Sequence, residues 1–167
     1  LMTYELKDQK PNYPHIVSTM KDDGTPLGWG ALSGLVADLK EAGKLYAISD
    51  SVYSSSPAIF TIDAKQTPAK ITEALVVKRG GQAGQKLDLE GITTDGNGGF
   101  WLANEGDQAK LVPHAILNVN EKGETKKEIA LPEELLPNQV RFGPEGITRI
   151  GDGAAGSCPR EHALLDL

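Results

Sequence analysis

The acidic residues of this 167-residue chain gather around a repeated tetrapeptide. Glu90-Gly91-Ile92-Thr93 recurs as Glu145-Gly146-Ile147-Thr148, and Asp88 stands two residues ahead of the first copy. Asp50 and Glu105 close two other apolar runs, "LYAISD" and "FWLANE". Carboxylates held together repel one another and resist ionisation unless a cation sits among them. Calcium suits such a set, because it takes about six to eight oxygen ligands in irregular geometry. A bound calcium would hold a phosphate and acidify an attacking water. The candidate metal ligands are Asp50, Asp88, Glu90, Glu105 and Glu145, and the candidate catalytic carboxylates are Glu90, Glu105 and Glu145. Lys86 and Arg141 flank the acidic motifs and are candidate anchors for an anionic substrate, with Lys78 and Arg79 further away. A structural reading stands beside this one. A Glu at the start of a strand, followed by Gly, can accept backbone N–H bonds and fix the packing of neighbouring elements.

These residues lie far apart in the chain, so a repeating architecture must gather them. "SGLVAD" at Ser33, "EGITTD" at Glu90 and "EGITRI" at Glu145 align, with Gly34, Gly91 and Gly146 spaced by 57 and then 55 residues (91 − 34 and 146 − 91). Each unit follows one order. A Gly-containing strand leads through a turn to an apolar strand ending in acid. A third strand ends in a polar turn, and a fourth enters a long loop. Four short strands at a period of about 55 residues is the pattern of a propeller blade. The first strand of a blade lines the central channel, so the repeated Glu is placed near the axis, and its Gly lets neighbouring backbones approach. The expectation is an all-β, propeller-like chain of four-stranded antiparallel blades with very little helix. "PEELLP" could form one helical turn. The chain holds two full units and the first strand of a third, with His15 to Met20 read as the outer strand of a preceding unit. That is an incomplete propeller of two to three blades, since closed rings use roughly four to eight. Residues 1–167 read as a single propeller fragment, with 151–167 an anomalous tail that does not continue the repeat.

Composition narrows the classes further. A net charge of −6 and a pI near 5.1 speak against a nucleic-acid partner. With 19 Gly, 10 Pro and few aromatics, the chain suits short strands and turns. Cys158 is the single cysteine, so no intrachain disulfide forms. No apolar run has the length of a membrane span. The opening "LMTYELK" shows no leader and does not read as a native start. Other chemistries have weaker signals. Ser33 lacks the nucleophile-elbow motif, and the hydroxyl-rich run Ser51 to Pro57 has no histidine placed near it. His15, His114 and His162 have no ligand spacing and read as surface or strand residues. "TDGNGG" fails the EF-hand pattern and reads as a tight turn. Trp29 and Trp101 read as packing residues, Trp29 also as a pocket rim.

Taken in order, "WGALSGLVAD", "LYAISDS", "IFTID", "LDLEGIT", "GGFWLANEG" and "RFGPEGIT" resemble the phytase-like (esterase-like activity of phytase) family of bacterial proteins, over Ile16 to Ile150. The resemblance implies a β-propeller, a hydrolase acting on phosphate or carboxylic esters, and a periplasmic or secreted location. The fuller acidic and basic ligand set of the calcium-dependent β-propeller phytases is not matched. The function expected is therefore a metal-assisted ester or phosphoester hydrolase acting on a small anionic or ester substrate. The alternative is a non-catalytic propeller, a binding or scaffold module with structural carboxylates. Self-association or further blades would complete the ring.

Overall fold

The computed structural model describes residues 15–50, 57–84, 87–135 and 143–150, and the backbone of 154–159. The described chain is all-β, apart from one 3-10 turn at Gln108–Lys110. Blade one is built from β2 (Leu32–Ala37), β3 (Lys44–Ser49), β4 (Ala58–Asp63) and β5 (Ala69–Val76), antiparallel in sequence order. The strand β1 (Ile16–Ser18) joins the outside of this sheet. A small hairpin, β6 (Lys78–Arg79) and β7 (Gln82–Ala83), lies in the connection to blade two. Blade two is β8 (Leu89–Thr94), β9 (Phe100–Asn104), β10 (Ala115–Val119) and β11 (Thr125–Ala130), again antiparallel in order. A third sheet holds β12 (Pro144–Ile150) and β13 (Ala154–Pro159). The fold is propeller-like, and among the described residues the blades do not close into a ring. No helix among the described residues is long and apolar enough to cross a membrane.

Side-chain alternation explains why the middle strands are apolar throughout. Successive residues of a strand point to opposite faces. Tyr46 and Ile48 of β3 join Phe100 and Leu102 of β9 in the core between blades one and two. Their neighbours Leu45 and Ala47 turn to the other face of blade one, where Phe60, Ile62 and Ile71 are buried with Leu27 and Trp29 packed on them. Trp101 and Ala103 turn to the far face of blade two, against Ile116, Leu131 and Ile147. Sheets covered on both faces read as continuous apolar runs. Each fully buried Ile or Leu contributes about 1.5–3 kcal/mol.

The innermost strands β2, β8 and β12 stack side by side. A Cβ on Gly34 would lie 3.2 Å from both the Glu90 carbonyl and Gly91 Cα, and 3.1 Å from Ile48 Cγ1. A Cβ on Gly91 would lie 2.9 Å from the Ile147 nitrogen and 3.0 Å from Gly146 Cα. Each inner strand also slips register at the same place: between Leu32 and Gly34, between Leu89 and Gly91, and between Pro144 and Gly146. The extra residue at each slip is Ser33, Glu90 or Glu145. The repeated Glu-Gly is thus a β-bulge followed by a backbone contact. A bulge re-aims the side chain it carries. In blade one that side chain is Ser33, whose hydroxyl donates to the Leu89 carbonyl at 2.6 Å across the seam.

One expectation is corrected here. His15 to Met20 is not the outer strand of a preceding unit. Its core, β1, pairs in parallel with β5, and Thr19 N donates to the Ile71 carbonyl at 2.8 Å. The unpaired edge of β5 offers a row of donors and acceptors, and β1 satisfies them. Beyond Ile150, the backbone of 154–159 pairs antiparallel with β12. "PEELLP" forms no helix over its described part, where Leu135 N donates to the Pro132 carbonyl in a turn. The "TDGNGG" segment is the tight turn expected: Asp95 Oδ1 accepts from Asn97 N at 2.7 Å and Gly99 N at 2.9 Å.

The seam generates a stability prediction. Gly91→Ala drives a methyl into the backbone of β12, where no flexible side chain can yield. Overpacking of this kind costs about 1–3 kcal/mol. Urea unfolding should show the midpoint of Gly91→Ala well below that of the parent. Equal midpoints would mean that the inner strands do not meet at this glycine.

Candidate functional site

The site grows out of strand ends on one side of the seam. Asp50 follows β3, and its N–H donates to the Ala31 carbonyl at 2.8 Å. One blade later the same bond recurs: Glu105 follows β9, and its N–H donates to the Asp88 carbonyl at 2.7 Å. Asp88 therefore occupies the entry to inner strand β8, as Ala31 does for β2. The Asp88 N–H in turn donates to Asn104 Oδ1 at 2.7 Å, and Asn104 Nδ2 donates to the Pro113 carbonyl at 2.6 Å. Asn104 is fully buried. Its amide thus clamps the entry to β8 against the end of β9.

These elements bring Asp50, Asp88 and Glu90 together. One carboxylate oxygen from each lies within 4.8 Å of the others, and all three residues are half-buried. Burial pushes the Glu90 carboxyl up to about 7, and the charges of Asp50, Asp88, Glu105 and Glu145 push the same way. All five candidate carboxylates therefore belong to one electrostatic neighbourhood, although only three are within joint ligand distance. Glu105 also has a backbone bond, since its Oε1 accepts from Gly143 N at 3.2 Å at the start of the third sheet.

Of the five candidate acids, the structure brings Asp50, Asp88 and Glu90 within ligand distance of one another, while Glu105 and Glu145 act on Glu90 through their charge. Lys86 and Arg141, the expected anion anchors, lie outside the described residues. Arg79 is engaged elsewhere, its guanidinium 2.9 Å from the Glu128 carboxylate of β11. Ser33 serves the seam. Ser51, Ser54 and His162 lie outside the described residues, and of Cys158 only the backbone strand is described. Sequence reasoning passed over two residues. One is Asn104, whose only signal is its place before Glu105 at a strand end. The other is His114, read as a surface or strand residue but buried in the loop before β10. Its Nδ1 accepts from Gly106 N at 3.0 Å. Gly106 and Gly143 both pack on its ring, leaving no room for a Cβ. A buried imidazole in one blade thus packs on Gly143, which donates to Glu105. No local motif announces such a role.

The donor set is all oxygen, anionic and only partly buried. A set of three such carboxylates could hold a metal ion. A family model described as Phytase-like, esterase-like activity of phytase, matches residues 27–164. No curated protein and no solved structure gives a match.

The raised Glu90 value makes folding pH-dependent. In the metal-free folded chain Glu90 holds its proton up to about pH 7, against 4.5 for the ordinary carboxyl. Between those values the native state binds more protons than the unfolded one. Stability is therefore full below about pH 4.5, falls as pH rises, and levels off above about pH 7. Solvent screening holds the change to about 1–2 kcal/mol. Urea unfolding in chelator from about pH 5 to about pH 8 should show this decline, and Glu90→Gln should flatten it. A decline of the same size in Glu90→Gln would assign it to other groups.

Proposed function

The chain belongs to the phytase-like family, whose description suggests esterase-like hydrolysis, and from this we propose that it is a calcium-assisted hydrolase of small anionic esters or phosphoesters. The observation that carries the reading is the convergence of Asp50, Asp88 and Glu90, three carboxylates from two blades, around one point. Asp50, Asp88 and Glu90 would hold the cation, with Glu105 and Glu145 adjoining. When bound, the cation would neutralise the acids, orient a phosphoryl or carbonyl oxygen and acidify a water.

The chain's own residues do the rest. Glu90 sits near neutrality and can take or give a proton at its carboxylate at physiological pH. Asn104 and the Glu105 backbone hold Asp88 in place, which limits the reorganisation needed at the site. Lys86 and Arg141 border the acidic motifs in sequence and are the proposed anchors for substrate anion. A periplasmic or secreted setting, implied by the family, would supply the calcium.

One observation favours a second reading, a non-catalytic propeller with structural acids. Glu105 already accepts a backbone N–H from the next sheet, which a packing role alone would explain. One series separates the two. Calcium binding by calorimetry is measured on the parent and on the Glu90→Gln, Glu145→Gln double variant. Hydrolysis of p-nitrophenyl phosphate and p-nitrophenyl acetate is followed with and without calcium. The expected result is calcium binding and calcium-dependent turnover in the parent, both lost in the folded double variant. Binding without turnover of any ester would favour the scaffold reading. No binding to folded parent would overturn the metal centre.

A further inference from the structure

Asp88 and Glu105 reach the carboxylate neighbourhood from different strand ends, yet both are held from one place behind it. That place is Pro113-His114, where the chain enters β10. The Pro113 carbonyl accepts from Asn104 Nδ2 at 2.6 Å, and Asn104 Oδ1 accepts from the Asp88 N–H at 2.7 Å. Asn104 is fully buried, so either bond, if lost, would leave a polar group away from water. The next residue holds the other acid. His114 is 7% exposed, and its Nδ1 accepts from Gly106 N at 3.0 Å. Gly106 directly follows Glu105. Gly143 lies on the same ring, since a Cβ there would be 2.2 Å from His114 Nδ1. The Gly143 N–H donates to Glu105 Oε1 at 3.2 Å, and Glu145 follows two residues later. The loop from Gly106 to Pro113 is closed on itself: Asp107 N donates to the Val112 carbonyl and Val112 N to the Asp107 carbonyl, both at 3.0 Å. Its two stems are thus held together beneath the acids.

We propose that Pro113-His114 positions the carboxylate site, the Pro113 carbonyl fixing Asp88 through Asn104 and the His114 ring fixing Glu105 through Gly106 and Gly143. Neither residue is a candidate ligand, and both act through others. The side chain at 114 meets two demands. It must offer an acceptor to Gly106 N, and it must be flat, because two glycine backbones press on it. An imidazole meets both. Leucine fills a similar space and offers no acceptor. Asparagine carries Oδ1 on the same carbon position from which histidine carries Nδ1, so it keeps the acceptor while filling less space. Groups one bond removed from metal ligands change metal affinity by about 10–100-fold when replaced. The inference rests on the metal reading of the site for that affinity alone, because the contacts of Gly106 and Gly143 exist without a metal.

Two measurements on the full chain test this, in the parent, His114→Leu and His114→Asn. Nitrogen–proton correlation spectra without metal follow the Gly106 and Gly143 amides, and calorimetry follows calcium binding. In folded His114→Leu both amide signals should move, and calcium should bind about 10–100-fold more weakly. His114→Asn should return the Gly106 signal and most of the affinity. A packing role alone would not give that rescue, since asparagine fills the space less well than leucine. A folded His114→Leu that keeps the Gly143 signal of the parent would overturn the proposal. So would a His114→Asn chain that binds calcium as weakly as His114→Leu. Gly143→Ala reaches the same contact from the other side and carries the test if His114→Leu does not fold. Its methyl is driven onto His114 Nδ1, so the Gly106 amide should shift and calcium should weaken by a similar factor. An unmoved Gly106 signal in folded Gly143→Ala would overturn the proposal. A parent that binds no calcium would overturn the metal centre instead, and the amide signals would then decide the positioning by themselves.

Discussion

Everything near the axis follows from two backbones pressed into contact. Inner strands of neighbouring blades come so close that a side chain at Gly34 or Gly91 would strike the main chain opposite. Such an approach favours glycine, most strictly at Gly91, where a Cβ would lie 2.9 Å from the Ile147 nitrogen. A bulge recurs at the same place in all three inner strands. The extra residue of the bulge has no paired partner in the strand register, so its side chain is re-aimed. Blade one uses the device for a hydroxyl that bonds the next strand's carbonyl, whereas blades two and three carry a carboxylate there. One backbone feature thus builds the architecture and aims the candidate chemistry.

Gathering carboxylates in this way opposes folding. Burial and four neighbouring acids hold Glu90 near neutrality, and every deprotonation there works against the native state. The surroundings are built to tolerate it. Asn104 is buried and spends both ends of its amide on backbone groups, one of them the N–H of Asp88. His114 fills the space between Gly106 and Gly143, and Gly143 donates to Glu105. Neutral polar groups hold the frame while the acids stand at its centre. Stability given up at a site and recovered in a rigid surround is the usual signature of a place that binds something.

The repeat made most of this legible. The match of "SGLVAD" to the two "EGIT" segments pointed to the inner strands and to Asp50, Asp88 and Glu90, which the structure brings within ligand distance of one another. What the repeat could not carry stayed hidden. The slip at Ser33, Glu90 and Glu145 looks in sequence like an ordinary strand start. Asn104 and His114 act through bonds to distant backbone, and neither has a partner within a motif's reach. The segment around Ile16 was misassigned because a parallel edge strand has the same alternation as an outer strand of another blade.

The edges of the sheets show where the chain guards itself and where it does not. β5 would present an open edge, and β1 covers it in parallel register. β11 is the outer strand of blade two, and it carries Lys126, Lys127 and Glu128 in a row of exposed charge. A covering strand and charged residues are the two standard protections against unwanted edge pairing. Protection is therefore placed at the rim of each blade. On the inner strands Leu35 stands exposed on β2, and among the described residues nothing lies within 4 Å of a Cβ placed on Gly146 of β12.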